Sequence, residues 1–193
     1  MSLTSVKSFL ATAALLLSAS VNAATDTYGT LLSGTFQPAE SFASLSYSNV
    51  GNVYDFTLTA FDLDAIFTEG AFIGAIAVDA AFEPVISNVT GDTVVSFANG
   101  GGPGGGFDFR FDLTGPQQAR LTANESVSFT ATFGEPVFLT ASSFALHVQA
   151  LDAEGNSAFY TANPPIPEPE TYAMLLAGLG VVGFASRRRM GKK

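Results

Sequence analysis

The chain has 193 residues, no cysteine, and seventeen Asp and Glu against eight Lys and Arg. That length holds one ordinary domain, and the lack of cysteine excludes a disulfide framework, a thiolate nucleophile and cysteine-ligated zinc. The charge is uneven: between Ala24 and Asn163 the only cations are Arg110 and Arg120, set against fifteen carboxylates from Asp26 to Glu154. A stretch near −13 repels nucleic acid and anionic lipid, so neither is expected as a partner of the middle of the chain.

In chain order, residues 1–23 come first. One basic residue, Lys7, precedes the apolar run Phe9 to Leu17, and small residues close the segment at Val21-Asn22-Ala23. This three-part pattern predicts a helical signal peptide cleaved after Ala23, or one residue later after Ala24. The apolar run is shorter than the roughly 20 residues a spanning helix requires.

Residues 24–162 form the predicted domain. Apolar and polar residues alternate in Tyr54-Asp55-Phe56-Thr57-Leu58, in Phe107 to Leu113, in Val127 to Phe133 and in Phe144 to Ala150. A period of two puts alternate side chains on one face, which predicts half-buried strands. Phe72 to Val78 and Val94 to Phe97 read as strands buried on both faces. One helical turn is expected at Phe61 to Phe67, capped by Asp62, with Leu63, Ile66 and Phe67 on one face. Turn residues separate these segments at Asn49 to Asn52, Thr90 to Asp92, Asn99 to Gly106, Gly115-Pro116 and Glu154 to Asn156. Short strands at such spacing predict an all-β domain, an antiparallel β-sandwich or jelly-roll-like sheet pair. Eighteen Phe supply its core without disulfides.

The chemistry-bearing residues of the domain are sparse. His147 is the only histidine, which excludes a multi-histidine metal site; alternation places it on the solvent face of its strand, and no G-x-S-x-G elbow accompanies it. The run Gly100 to Gly106 lacks the Lys-Ser/Thr ending of a phosphate loop and reads as a flexible hairpin connection. Asp62 and Asp64 with Glu69, or Asp108 with Asp112, could serve calcium, but without the turn glycine and twelfth-position glutamate they read as solvated acids. Sugar binding would rest on Tyr28, Tyr47, Tyr54 or Tyr160, since the chain has no Trp. No catalytic residue, metal or cofactor is expected.

At Asn163 the composition changes. Four prolines fall between Pro164 and Pro169, making residues 163–171 an extended linker. Residues 172–186 are uncharged and mostly apolar, and residues 187–193 begin with Arg187-Arg188-Arg189. An apolar segment ended by a basic cluster predicts a transmembrane helix with its C-terminus in the cytoplasm. Fifteen residues in a helix span about 22 Å of a hydrocarbon core of about 30 Å, which suits a temporary anchor.

Pro167-Glu168-Pro169, followed by Glu170-Thr171-Tyr172-Ala173-Met174-Leu175-Leu176-Ala177-Gly178-Leu179-Gly180, Gly183-Phe184 and the arginine cluster, strongly resembles the PEP-CTERM sorting domain. The segment from Phe107 to Gly115 is also similar to stretches of other PEP-CTERM proteins to which no chemistry is assigned. The resemblance implies an exported protein of an exopolysaccharide-making Gram-negative bacterium. Exosortase is its processing partner, and Pro167, Glu168 and Pro169 are recognition residues. It implies a precursor held in the inner membrane by the C-terminal helix and a product in the envelope or matrix. The expected role is structural or adhesive and non-enzymatic, with exopolysaccharide as a candidate partner. The alternatives are a surface-displayed carbohydrate-active or other hydrolytic enzyme, or a calcium- or glycan-binding module.

Overall fold

A computed structural model describes residues 22–67, 70–116, 119–151, 156–164 and 179. The chain divides into two units, one ending at Ala162 and one beginning at Asn163. In the first, ten strands follow one another: β1 (Asn22–Ser33), β2 (Ala43–Val50), β3 (Val53–Ala60), β4 (Phe72–Val78), β5 (Pro84–Gly91), β6 (Ser96–Gly101), β7 (Phe107–Asp112), β8 (Ser126–Phe133), β9 (Phe144–Gln149) and β10 (Ala158–Ala162). The short helix α1 (Leu63–Ile66) lies between β3 and β4, and its cap is Asp62, whose carboxylate accepts the Ala65 N–H at 3.2 Å.

All strand pairs are antiparallel and join into one sheet of order β5-β8-β3-β2-β1-β10-β9-β4-β7-β6. The domain is therefore all-β, but it is a single sheet folded back on itself, nearly closed, where two separate sheets were expected. The strand responsible is β1. Its first half, Asn22 to Tyr28, pairs with β2, and its second half, Tyr28 to Ser33, pairs with β10. Register shifts between Tyr28 and Thr30 and between Leu31 and Ser33 mark the corner, because irregular pairing bends a strand and lets it change layers. Gln37 braces that corner like a short neighbouring strand, donating to Gly29 O at 2.6 Å and accepting from Leu31 N at 2.9 Å.

The two halves of the sheet face each other through aromatic rings. Phe56 on β3 meets Phe111 on β7 and Phe144 on β9, Phe129 on β8 meets Phe111, and Phe133 on β8 meets Phe109. The inward residues of β2, β3 and β8 are buried, while the intervening ones are half-buried or exposed, as period-two alternation requires. β4 is buried along its whole length, in keeping with its unbroken apolar sequence. Phe109, Phe111 and Leu113 point inward as the alternation of β7 predicts.

Several elements differ from the sequence reading. β6 begins at Ser96 and ends the sheet, and Val94 is 53% exposed, so the expected buried strand Val94 to Phe97 is displaced into an edge. Strands β1, β2, β5 and β10 were not among the expected ones: β2 does alternate Ala, Leu and Tyr with Ser, at low contrast, and the outer residues of β5 include the exposed Val85 and Val89. Of the signal-peptide helix expected over residues 1–23, residues 1–21 lie outside the described residues, whereas Asn22 and Ala23 are in β1; the transmembrane helix expected over 172–186 lies outside them apart from Leu179. Among the described residues no helix is long and apolar enough to cross a membrane.

Candidate functional site

The outward face of the second half-sheet carries a row of paired residues, one per strand: Phe159 on β10, His147 on β9, Ala75 on β4, Asp112 on β7 and Ser96 on β6. Large groups flank a methyl group. His147 and Asp112 are two strand spacings apart, roughly 10 Å, and nothing larger than Ala75 stands between them in the row. Gly74 falls at a register shift of β4 against β9, and the Gln149 amide lies over it so closely that a Cβ there would sit 2.6 Å from Nε2. The result is a cleft of about 580 Å³ whose far wall is the β6–β7 hairpin.

That hairpin explains the glycine run. Gly101 and Gly102 pass so near Phe109 O and the Phe107 ring that a Cβ would lie 2.2 Å and 2.1 Å from them, and Gly102 also has φ +65°. Any side chain would push the wall away or fill the cleft. Phe107 itself, first in β7, leaves the inward pattern of its strand and lines the cleft.

Charge inside the cleft is paired. The Arg110 guanidinium donates from Nε to Asp112 Oδ1 and from Nη2 to Oδ2 at 3.3 Å, and its Nη1 reaches Gly100 O at 2.9 Å. His147 stacks flat on Phe159, with ring centroids 4.3 Å apart and planes 8° from parallel. Burial, and then the nearby Arg110 charge, lower the His147 pKa from its ordinary 6.5, with Asp112 opposing. The neutral ring accepts the Gln149 amide at Nδ1, 3.2 Å away, and so carries its proton on Nε2.

This shift has a defined consequence. The unfolded chain takes up a proton at His147 before the folded chain does, so stability decreases as pH falls through about 6.5 and the loss levels off below the folded pKa. The charged groups facing the ring are Arg110 and Asp112, and its other neighbours, Gln149 and Phe159, do not titrate. A His147→Gln variant is expected to lose less thermal stability than the parent between about pH 7 and about pH 5.5, as followed by melting temperature. Equal losses would refute a titrating role for the ring.

The residues singled out from sequence are placed as follows. His147 is on the outer face, as expected, but half-buried in the cleft rather than open to solvent. Of the four tyrosines weighed for sugar contacts, Tyr28 and Tyr160 are wholly buried in the core, while Tyr47 and Tyr54, also largely buried, line a second cleft with Phe138. The Tyr54 hydroxyl donates to Val137 O and that of Tyr160 to Phe36 O, and burial pushes Tyr160 up to about 12. Of the acids weighed for calcium, Asp62 caps α1, Asp64 accepts Gly70 N–H, Asp108 accepts Ala80 N–H and Asp112 holds Arg110. Among the described residues no three acids or histidines converge as a metal site would need; Glu69 lies outside them. Ala23 is in β1, paired with Ser48, so cleavage after it would trim Asn22 and Ala23 and leave Ala24 to Tyr28 paired with β2. Pro167, Glu168, Pro169, Arg187, Arg188 and Arg189 lie outside the described residues.

The cleft was not legible in the sequence because its residues come from five strands distant in the chain. The one available signal was the placement of Arg110, Asp112 and His147 on the outward positions of alternating segments.

The β-domain is followed in the chain by a proline-rich segment, an apolar segment and an arginine cluster. The family model described as the PEP-CTERM protein-sorting motif matches residues 165–189, so the tail carries that motif. The motif implies export and processing by exosortase. No curated protein matches the chain. A chain from a structure concerned with pH-induced modulation of Streptococcus parasanguinis adhesion by Fap1 fimbriae is similar at 9% identity. It covers 75% of this chain and 96% of that one, with a TM-score of 0.38.

Proposed function

We propose that this protein is a non-catalytic component of the cell surface or extracellular matrix, delivered by exosortase and acting through its β-domain as an adhesive or structural module. A leader over residues 1–23 directs export, the segment 172–186 holds the precursor in the inner membrane, and Pro167-Glu168-Pro169 marks it for processing. The sorting motif over residues 165–189 is the observation that carries this reading.

The non-catalytic part rests on the cleft. Acid–base hydrolysis of glycosides uses two carboxylates facing one bond, and the cleft presents one, Asp112, already committed to Arg110. The folded-back sheet supports a sandwich-like module, since its two halves pack face to face through their rings.

The test is mass spectrometry of the mature C-terminus in cells with and without exosortase. The expected result is a chain ending before the arginine cluster in the first case and an intact Lys193 in the second. Lys193 intact in both would overturn the processing step and leave an ordinary membrane anchor.

A further inference from the structure

We propose that the outward cleft between β10, β9, β4, β7 and β6 is a saccharide-binding site that takes an uncharged sugar unit against the His147–Phe159 stack. The proposal deepens the reading of the domain as an adhesive module and rests on it.

Three features of the cleft select this ligand. The first is shape. A sugar ring is a slab with apolar C–H faces and a polar rim, and it needs a flat apolar surface beneath it and directional groups at its edge. One face of the imidazole is covered by Phe159; the other looks toward Gly74 and Ala75, where the Gln149 amide lies over Gly74 and bonds to Nδ1.

The second feature is the directional chemistry opposite that surface. Arg110 and Asp112 form one rigid donor–acceptor pair, with side chains 41% and 22% exposed. A guanidinium has five N–H groups; four contacts involve it here, two of them from Nη1 to Asn99 O at 3.5 Å and Gly100 O at 2.9 Å. At least one N–H, on Nη2, is left without a partner among the described residues. Asp112 keeps lone pairs beyond those facing Arg110. Adjacent hydroxyls can accept from the first and donate to the second at once. Gln149 adds an amide and His147 an Nε2–H on the near side.

The third feature is charge, and it decides between ligand classes. The only cation lining the cleft is neutralised by its own neighbour, inside a domain carrying fifteen carboxylates and two arginines. A phosphate, sulfate or uronate would meet no unpaired positive charge and would be repelled by the surroundings. A polyhydroxylated neutral ligand avoids that penalty.

Because His147 is the only histidine, its ring signals in the NMR spectrum of the full-length protein report on the cleft without ambiguity. The probes are neutral gluco-, manno- and galacto-oligosaccharides, oligogalacturonate of the same length, and an apolar peptide. The expected result is a saturable shift of the His147 ring protons with at least one neutral oligosaccharide and none with oligogalacturonate. Asp112→Asn should weaken binding by about tenfold or more, the effect of losing a charge-assisted hydrogen bond. Gly74→Ala, which forces Gln149 into the cleft, should abolish it while the fold survives, as checked by circular dichroism. No shift with any neutral saccharide, a shift only with oligogalacturonate, or a shift only with the peptide would each overturn the assignment. A protein that fails here yet still loses its tail in the mass-spectrometric experiment would retain the sorting reading and lose only the sugar site.

Discussion

Replacing Phe56 with alanine is expected to destabilise the domain by about 3–5 kcal/mol. The ring is 1% exposed and touches five others: Tyr47, Tyr54, Phe111, Phe129 and Phe144, with centroids 5.1 to 6.2 Å away. Those partners come from both halves of the folded sheet, so no one strand can move inward to fill the gap without drawing away from its hydrogen-bonded neighbours. The residual cavity therefore stays large, which puts the cost toward the upper part of the range for such truncations. A whole domain is commonly stable by only about 5–15 kcal/mol, and with no cysteine in the chain no covalent cross-link offsets the loss. Urea unfolding followed by tyrosine fluorescence would measure it. A change below about 1 kcal/mol would mean that the two half-sheets are not packed on each other through this ring.

The second large effect is expected in the tail. Changing Pro167, Glu168 and Pro169 together to alanine should leave the precursor uncut and held in the membrane fraction, with the domain folded as before. The prolines lack backbone N–H groups and have a fixed φ, and Glu168 places a carboxylate between two of them. Alanine restores the N–H groups, favours helix and removes the carboxylate. Immunoblotting of membrane and extracellular fractions, with the circular dichroism of the purified precursor as a control, distinguishes a processing defect from misfolding. Release of the variant at the parental rate would remove these three residues from recognition.

How much was readable in advance differed from strand to strand. Phe107 to Leu113 declared itself because aromatic and charged residues alternate there at full contrast, and Phe109 and Phe111 are buried as that pattern demands. Val127 to Phe133 and Tyr54 to Leu58 did so with polar residues in place of charges. β1 did not, because one strand serves two neighbours: its inward side changes at the corner near Gly29, so no single period runs along it. β5 did not, because an edge strand paired only with β8 can leave Val85 72% exposed. The burial of the tyrosines was not readable for a related reason. A phenol suits both a sugar platform and a core with one hydrogen-bond acceptor nearby, and sequence does not reveal the acceptors Val137 O and Phe36 O.

By itself the sequence determined the all-β class, the acidity of the middle of the chain, and the sorting tail, because each of these is a local property: alternation, charge count, and a contiguous motif that needs no folding to be recognised. Tertiary structure alone decided that the strands form one folded-back sheet and that Arg110, Asp112, His147 and Phe159 share a cleft. Both outcomes depend on register between strands far apart in the chain, and register is fixed by how rings and small residues pack across the sheet rather than by anything a single strand encodes.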